Sequence, residues 1–221
     1  EDDWTDEKVW YKANPALGDF RSIEEMRTAF KRATEVPAFQ NTFRRFYLNQ
    51  WVKQEERYID ISKWDECAFE VDEDELEGMK CYAGLDLAST TDITALVLVF
   101  PYGDSYKVLP FFWIPEDNIY ERSKRDRVPY EVWEKKGLVE ATEGNVIDYK
   151  AVKNKIIQLS KRYNICEIAF DRWGMAQLSQ DLSDEGFLMV PFGQGFVSMS
   201  APTKELLALI LSKKIHHGGI P

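Results

Sequence analysis

The sequence is poor in the residues that staple a small domain or anchor one in a bilayer. Three cysteines stand among 221 residues, Cys67, Cys81 and Cys166, odd in number, far apart and without a CxxC pair. Neither a disulfide framework nor a zinc site is indicated. The longest apolar runs, Ala95 to Phe100 and Leu206 to Leu211, fall far short of the roughly 20 residues that span a membrane. The first residues, Glu1-Asp2-Asp3-Trp4, are acidic where a secretory signal is basic and then apolar. Histidine is scarcer still, with only His216 and His217, which cannot form an HExxH pair. There is no GxxxxGK[ST] loop for ATP phosphates and no GxSxG elbow. Gly193-Gln194-Gly195 lacks the continuation of a dinucleotide loop. A soluble, intracellular protein is the expectation.

What is present in excess is negative charge. The formal balance is −10, which by itself argues against a dedicated nucleic-acid binder. The acidity is uneven, however. Residues 1–80 carry 12 Lys and Arg against 20 Asp and Glu, and residues 81–221 carry 16 against 18. Two carboxylates neutralised by metal would bring the latter part to zero, so the bulk charge says little against a nuclease.

The first third reads as helical. A turn at Asn14-Pro15-Ala16-Leu17-Gly18 precedes Ser22, an N-cap candidate with Glu25 three residues later. Ile23, Met26, Ala29, Phe30 and Ala33 then recur at helical spacing. A second helix, about Ala38 to Leu48, is basic and aromatic, and its aromatics are expected to pack on a neighbour rather than face nucleic acid. The acidic run from Val71 to Gly78 reads as a surface linker, which divides the chain into a helical accessory segment, 1–78, and a second domain, 79–221.

From Lys80 the pattern changes to strands: Lys80 to Leu87, Ile93 to Phe100 and Tyr106 to Ile114, joined by short turns and therefore an antiparallel meander. Helix and strand then alternate. Helices are expected at Pro129 to Lys136, from Asp148 through Tyr163, at Met175 to Glu185 and at Thr203 to Leu211, and buried strands at Ile165 to Phe170 and Phe187 to Pro191. This order gives an α/β fold with a mixed sheet, three antiparallel strands followed by parallel strands with flanking helices, which matches a ribonuclease H-like arrangement.

Fold alone licenses no function; two aspartates carry the argument. Asp86 stands late in the first strand, and Asp171 closes the strand Ile165 to Phe170. If those strands are neighbours with both carboxylates on one face, the pair repels by about 4 kcal/mol at an effective dielectric near 20. A divalent cation removes that penalty, and oxygen-only ligands suit Mg2+ or Mn2+. Two such ions would activate water and stabilise the leaving 3′ oxygen in an in-line attack on phosphate. Asp92 is a third catalytic candidate, either capping the turn after Asp86 or reaching the metal site as a secondary ligand. His216 and His217 read as exposed loop residues, with an approach to the metal site as the alternative. Arg122, Lys124, Arg125 and Arg127 form a basic stretch in the loop after the third strand. That loop is read as solvated, with contact to a duplex backbone as the alternative. Arg172 and Lys204 are further candidates for phosphate, in contacts that position DNA without reading its sequence.

The segments Trp10 to Gly18, Phe46 to Trp51, Tyr82 to Ala88, Ala169 to Gly174 and His217-Gly218-Gly219 together resemble the large terminase subunit of tailed bacteriophages, in its C-terminal nuclease portion. The likeness runs over nearly the whole chain. It implies a DNA-packaging motor component whose ribonuclease H-like nuclease cuts concatemeric double-stranded viral DNA, with Asp86 and Asp171 matching two metal-binding aspartates. It also implies partners: the ATPase domain of the same parent chain, the terminase small subunit and the portal protein, in the cytoplasm of a bacterial host. The ATPase portion is absent from this sequence, and the family's third acidic ligand lies beyond the His-Gly-Gly-x-Pro segment. The expectation is therefore a C-terminally incomplete site that holds metal weakly. The alternatives are another ribonuclease H-like nuclease, of resolvase or transposase type, and a docking module with an idle site.

Overall fold

A computed structural model describes residues 2–52, 58–88, 92–171 and 175–219. The chain divides into two compact units, Glu1–Ser62 and Lys63–Pro221.

The first unit is helical: α1 (Glu7–Ala13), α2 (Ile23–Glu35) and α3 (Pro37–Phe46). Asp6 caps α1 by accepting from the Lys8 amide, and Ser22 Oγ accepts from the Glu25 amide at the start of α2, as its sequence position predicts. Trp10, Met26, Ala33 and Phe43 are buried together, and the rings of Trp4, Trp10, Phe30 and Phe43 meet with centroids 5.0–6.1 Å apart. The aromatics of α3 thus turn partly inward, with Phe43 in the core and Phe46 exposed. Asn14 Nδ2 donates to the carbonyls of Trp10 (3.0 Å) and Tyr47 (2.7 Å), which ties the Asn-Pro turn to the end of α3. The short helix α4 (Ile61–Asp65) straddles the division.

The second unit is a seven-stranded sheet with helices. Its strands are β1 (Lys80–Asp86), β2 (Thr94–Tyr102), β3 (Ser105–Pro115), β4 (Glu140–Thr142), β5 (Asn164–Phe170), β6 (Met189–Pro191) and β7 (Ile215–His216). Their order is β4-β3-β2-β1-β5-β6, and β7 pairs with β3. β1–β2 and β2–β3 are antiparallel; β1–β5, β5–β6 and β3–β4 are parallel. This is the mixed ribonuclease H-like sheet the element order implies. Gly103, at φ +62, takes the first position of the two-residue turn between β2 and β3, where a type II′ turn calls for glycine. The helices are α5 (Ile119–Asp126), α6 (Tyr130–Lys135), α7 (Tyr149–Ser160), α8 (Ala176–Asp184) and α9 (Phe196–Leu211). Alternation along β1 sends Cys81, Ala83 and Leu85 into a core shared with Leu96, Leu98, Ile168, Val152, Ile156 and Leu182.

Four expectations are corrected. The acidic run 71–78 is no free linker: Leu76 is fully buried, Glu73 and Asp74 pair with Arg162, and Glu75 pairs with Lys107 at 2.7 Å. Residues 63–78 group with the second compact unit, Lys63–Pro221. The stretch holding Arg122, Lys124 and Arg125 is the helix α5 and not a loop. The last helix begins at Phe196 and continues through Pro202, where the sequence pattern starts it at Thr203. His217 is buried; its Nε2 lies 2.9 Å from the Trp64 carbonyl, and its ring stacks on Trp64 at 4.1 Å. That pair is a structural clasp between residue 64 and the segment that follows β7. Among the described residues, no helix is long and apolar enough to cross a membrane.

Candidate active site

Register decides the position of the two aspartates. The parallel β1–β5 ladder ends with Leu85 opposite Phe170, so Asp86 and Asp171 follow one step later on adjacent strands. Side chains opposite one another on paired strands share a face. Leu85 and Phe170 are buried in the core, and Asp86, the next residue of β1, faces the opposite side of that strand. Both line one cleft of about 340 Å³. Gly84, Leu85, Ala95, Val97, Ala169 and Phe170 of the sheet line it, with Phe192, Gln194 and Met199.

The chain around the pair is held from several directions. Just past Asp86, the Ala88 amide donates to the buried Thr94 Oγ1 at 3.0 Å, and Tyr149 donates its hydroxyl to the Ala88 carbonyl at 3.1 Å. On the other strand, the Phe192 amide donates to the Phe170 carbonyl at 2.8 Å. Gln194 Nε2 donates to Asp86 Oδ1 at 3.2 Å. Sequence reasoning misses Gln194 as a site residue. The signal it leaves is a polar side chain between two glycines where a strand leads into a helix.

The other candidates go elsewhere. Asp92 is not part of the cleft lining; its carboxylate accepts from Arg122 Nη2 at 3.0 Å. Arg122 keeps only 8% of its side chain exposed and also donates to Asp126 at 3.1 Å, so it is a structural ion-pair residue and not an open phosphate ligand. Arg125 donates to Asp126 at 2.8 Å. That hydrogen bond is the main cause holding the Asp126 carboxyl down at about 2, with Arg122 and Tyr130 adding to it against partial desolvation. Lys124 and Arg127 are exposed and line a second cleft of about 320 Å³, with Lys124 Nζ 4.1 Å from the centre of the Tyr120 ring. Lys204 is exposed on α9 outside the two-aspartate cleft. Arg172 lies outside the described residues.

Chemically, the cleft offers two hard carboxylates on adjacent strand ends, one of them oriented by a neutral amide. That donor set fits an oxygen-seeking divalent cation such as Mg2+ or Mn2+ better than a soft metal. Among the described residues, no group of three or more His, Cys, Asp or Glu side chains gathers to hold a metal, so the described donor set stops at two.

Comparison with known proteins sets this geometry in context. The family model for the terminase large subunit, endonuclease domain, matches residues 1–221. The chain is 38% identical to the terminase large subunit of Enterobacteria phage HK97 over 218 residues, 96% of this chain and 42% of that protein. It is 31% identical to protein YmfN of Escherichia coli (strain K12) over 230 residues, 100% of this chain and 50% of that protein. The crystal structure of the HK97 bacteriophage large terminase superposes with a TM-score of 0.67 at 38% identity, covering 99% of this chain and 46% of the other. The chain thus spans about half the length of the curated relatives it matches.

Proposed function

The chain belongs to the terminase large subunit endonuclease-domain family, and from that premise we propose that it cuts double-stranded viral DNA during genome packaging, with Asp86 and Asp171 holding the divalent metal that hydrolysis needs. The observation that supports this reading is that Asp86, the last residue of β1, and Asp171, directly after β5, line one cleft one step past the final β1–β5 pair, Leu85 and Phe170. Mg2+ or Mn2+ bound there, one ion or two, would supply a Lewis acid that lowers the pKa of water and stabilises the leaving 3′ oxygen.

The chain's own residues do the rest. Asp86, the last residue of β1, and Asp171, directly after β5, would contribute negative oxygens from short side chains. The small lining residues Gly84, Ala95 and Ala169 leave room for a phosphodiester to approach the sheet closely. Lys124 and Arg127 are exposed cations of the same unit that can position a duplex through its phosphates, a task that needs no base recognition. The packaging partners of this reading are the motor ATPase, the small subunit and the portal, in the cytoplasm of the bacterial host.

A second reading, a docking module with an idle site, draws support from the described donor set stopping at two carboxylates. Plasmid DNA with Mn2+ separates the two. The nuclease reading expects nicking and linearisation by the wild-type chain, lost in Asp86→Ala and in Asp171→Ala while each variant keeps its circular dichroism spectrum. Equal cutting by wild type and both variants would assign the activity to other groups; no cutting by any, with Mn2+ in excess, favours the docking module.

A further inference from the structure

The Gly193-Gln194-Gly195 stretch, too short for a phosphate loop, connects β6 to α9. We infer that Gln194 is a positioning residue of the nuclease site, its side-chain amide holding the Asp86 carboxylate in the orientation that serves a cation shared with Asp171. The inference rests on the metal-dependent reading of the cleft.

One short link braces both aspartate-bearing strands. The Phe192 amide donates to the carbonyl of Phe170, the residue before Asp171, at 2.8 Å. Two residues later, Gln194 Nε2 reaches Asp86 Oδ1 at 3.2 Å. The far side of the link is fixed by the start of α9, where the amides of Ser198 and Met199 both donate to the Gly195 carbonyl at 3.0 Å. Gly193 lets the link pass close to that helix, since a Cβ there would sit 3.1 Å from Ser198 Oγ. The spacing leaves Gln194 directed to the cleft, whose lining it shares with Asp86 and Asp171.

The chemistry of the donor matters. A Lys or Arg in this place would neutralise the carboxylate and compete with the cation. An amide N–H donates to one oxygen, fixes the rotamer and leaves the full negative charge for the metal. Hydrogen-bond partners of ligating carboxylates contribute about 10- to 100-fold to metal affinity or activity.

The test compares wild type, Gln194→Met, which keeps length and loses the donor, Asp86→Ala, and Gln180→Met. Gln180 makes the same kind of bond to Asp184 on the surface of α8, at 2.8 Å, and controls for the loss of a glutamine–aspartate pair. Mn2+ affinity is read by electron paramagnetic resonance, and the Asp86 carboxyl 13C resonance is read in metal-free protein. The expected result is roughly tenfold weaker Mn2+ binding in Gln194→Met, a displaced Asp86 resonance, and wild-type behaviour in Gln180→Met. An unmoved resonance with wild-type Mn2+ affinity in Gln194→Met overturns the inference and leaves the nuclease reading standing. Equal Mn2+ binding by wild type and Asp86→Ala overturns that reading, and the inference with it. Should Met disturb folding, Gln194→Asn, one methylene too short to reach, is read in the same way.

Discussion

Gly84 offers the sharpest separation of fold from function. It sits in the middle of β1 on the same face as Asp86 and lines the cleft. Its φ is not in the left-handed region, and a Cβ built on it meets nothing within 4 Å. Glycine is therefore not required there by the backbone or by packing, and it costs about 0.5–1 kcal/mol relative to alanine in a strand interior. Gly84→Ala should accordingly stabilise the sheet unit by that amount. For a chain of this size this raises the melting midpoint by about 1–4 °C. A larger side chain has only one way to go, into the cleft. Gly84→Leu should keep the fold, because its added carbons enter open space, yet lose DNA cleavage by about 100-fold or more, because the phosphodiester can no longer approach the sheet. Calorimetry of the sheet unit and a Mn2+-supported plasmid assay read the two halves. Wild-type cleavage by a folded Gly84→Leu variant would show that the substrate does not enter this cleft, and the mechanism built on Asp86 and Asp171 would fall with it.

Other outcomes follow from the charged groups. Replacing Lys124 and Arg127 together by alanine should weaken binding to any duplex sequence and flatten the plot of log K against log salt by about 1.8, roughly 0.9 for each phosphate no longer neutralised; an unchanged slope would remove both from the DNA path. Asp126 titrates at about 2 instead of its ordinary 3.8. Its stabilising effect is thus fully present above about pH 4 and disappears as pH falls through about 2. The difference in thermal midpoint between wild type and Asp126→Asn should shrink across that window, and a difference that grows on acidification would reverse the assignment. Arg122→Met should destabilise the α5 region by about 2 kcal/mol, since its two carboxylate partners lose a charged donor but remain partly solvated; urea denaturation measures it, and a neutral result would mean the ion pairs only offset the burial of the guanidinium.

How far the sequence can be read depends on the range of the interactions. Strand parity and the stop at Phe170-Asp171 are local patterns, and they lead to two aspartates that share a cleft. The α-helical stretch 119–126 stays hidden because its inward face is made of Ile119 and the arginine stem of Arg122, a pattern that hydrophobic periodicity does not register. Pro202 conceals the first turns of α9, which the helix forms in spite of one missing backbone donor. The Val71–Gly78 run is solvated by composition, yet its acids find cations on β3 and at the end of α7. His217 bonding to Trp64 spans 153 residues, and the Gln194–Asp86 bond spans 108. No local pattern announces such pairs.

The cleft itself is a product of topology and owes little to the acids in it. The strand after β1 in the chain, β2, pairs on one side of the β1–β5 pair, and the strand after β5, β6, pairs on the other. The cleft lies at the ends of β1 and β5, where open α/β sheets present a crevice at a switch in strand order, and the link from Phe192 to Gln194 borders it. Asp86 and Asp171 each follow the last β1–β5 pair by one residue, and both line the crevice. Side chains at positions 86 and 171 both face this cleft, and under the nuclease reading two aspartates there would draw a cation. It follows that Asp86→Asn with Asp171→Asn should leave the crevice intact and still bind DNA through distant cations, while cutting nothing. A double variant that lost DNA binding along with cleavage would show that the metal, and not the crevice, holds the substrate.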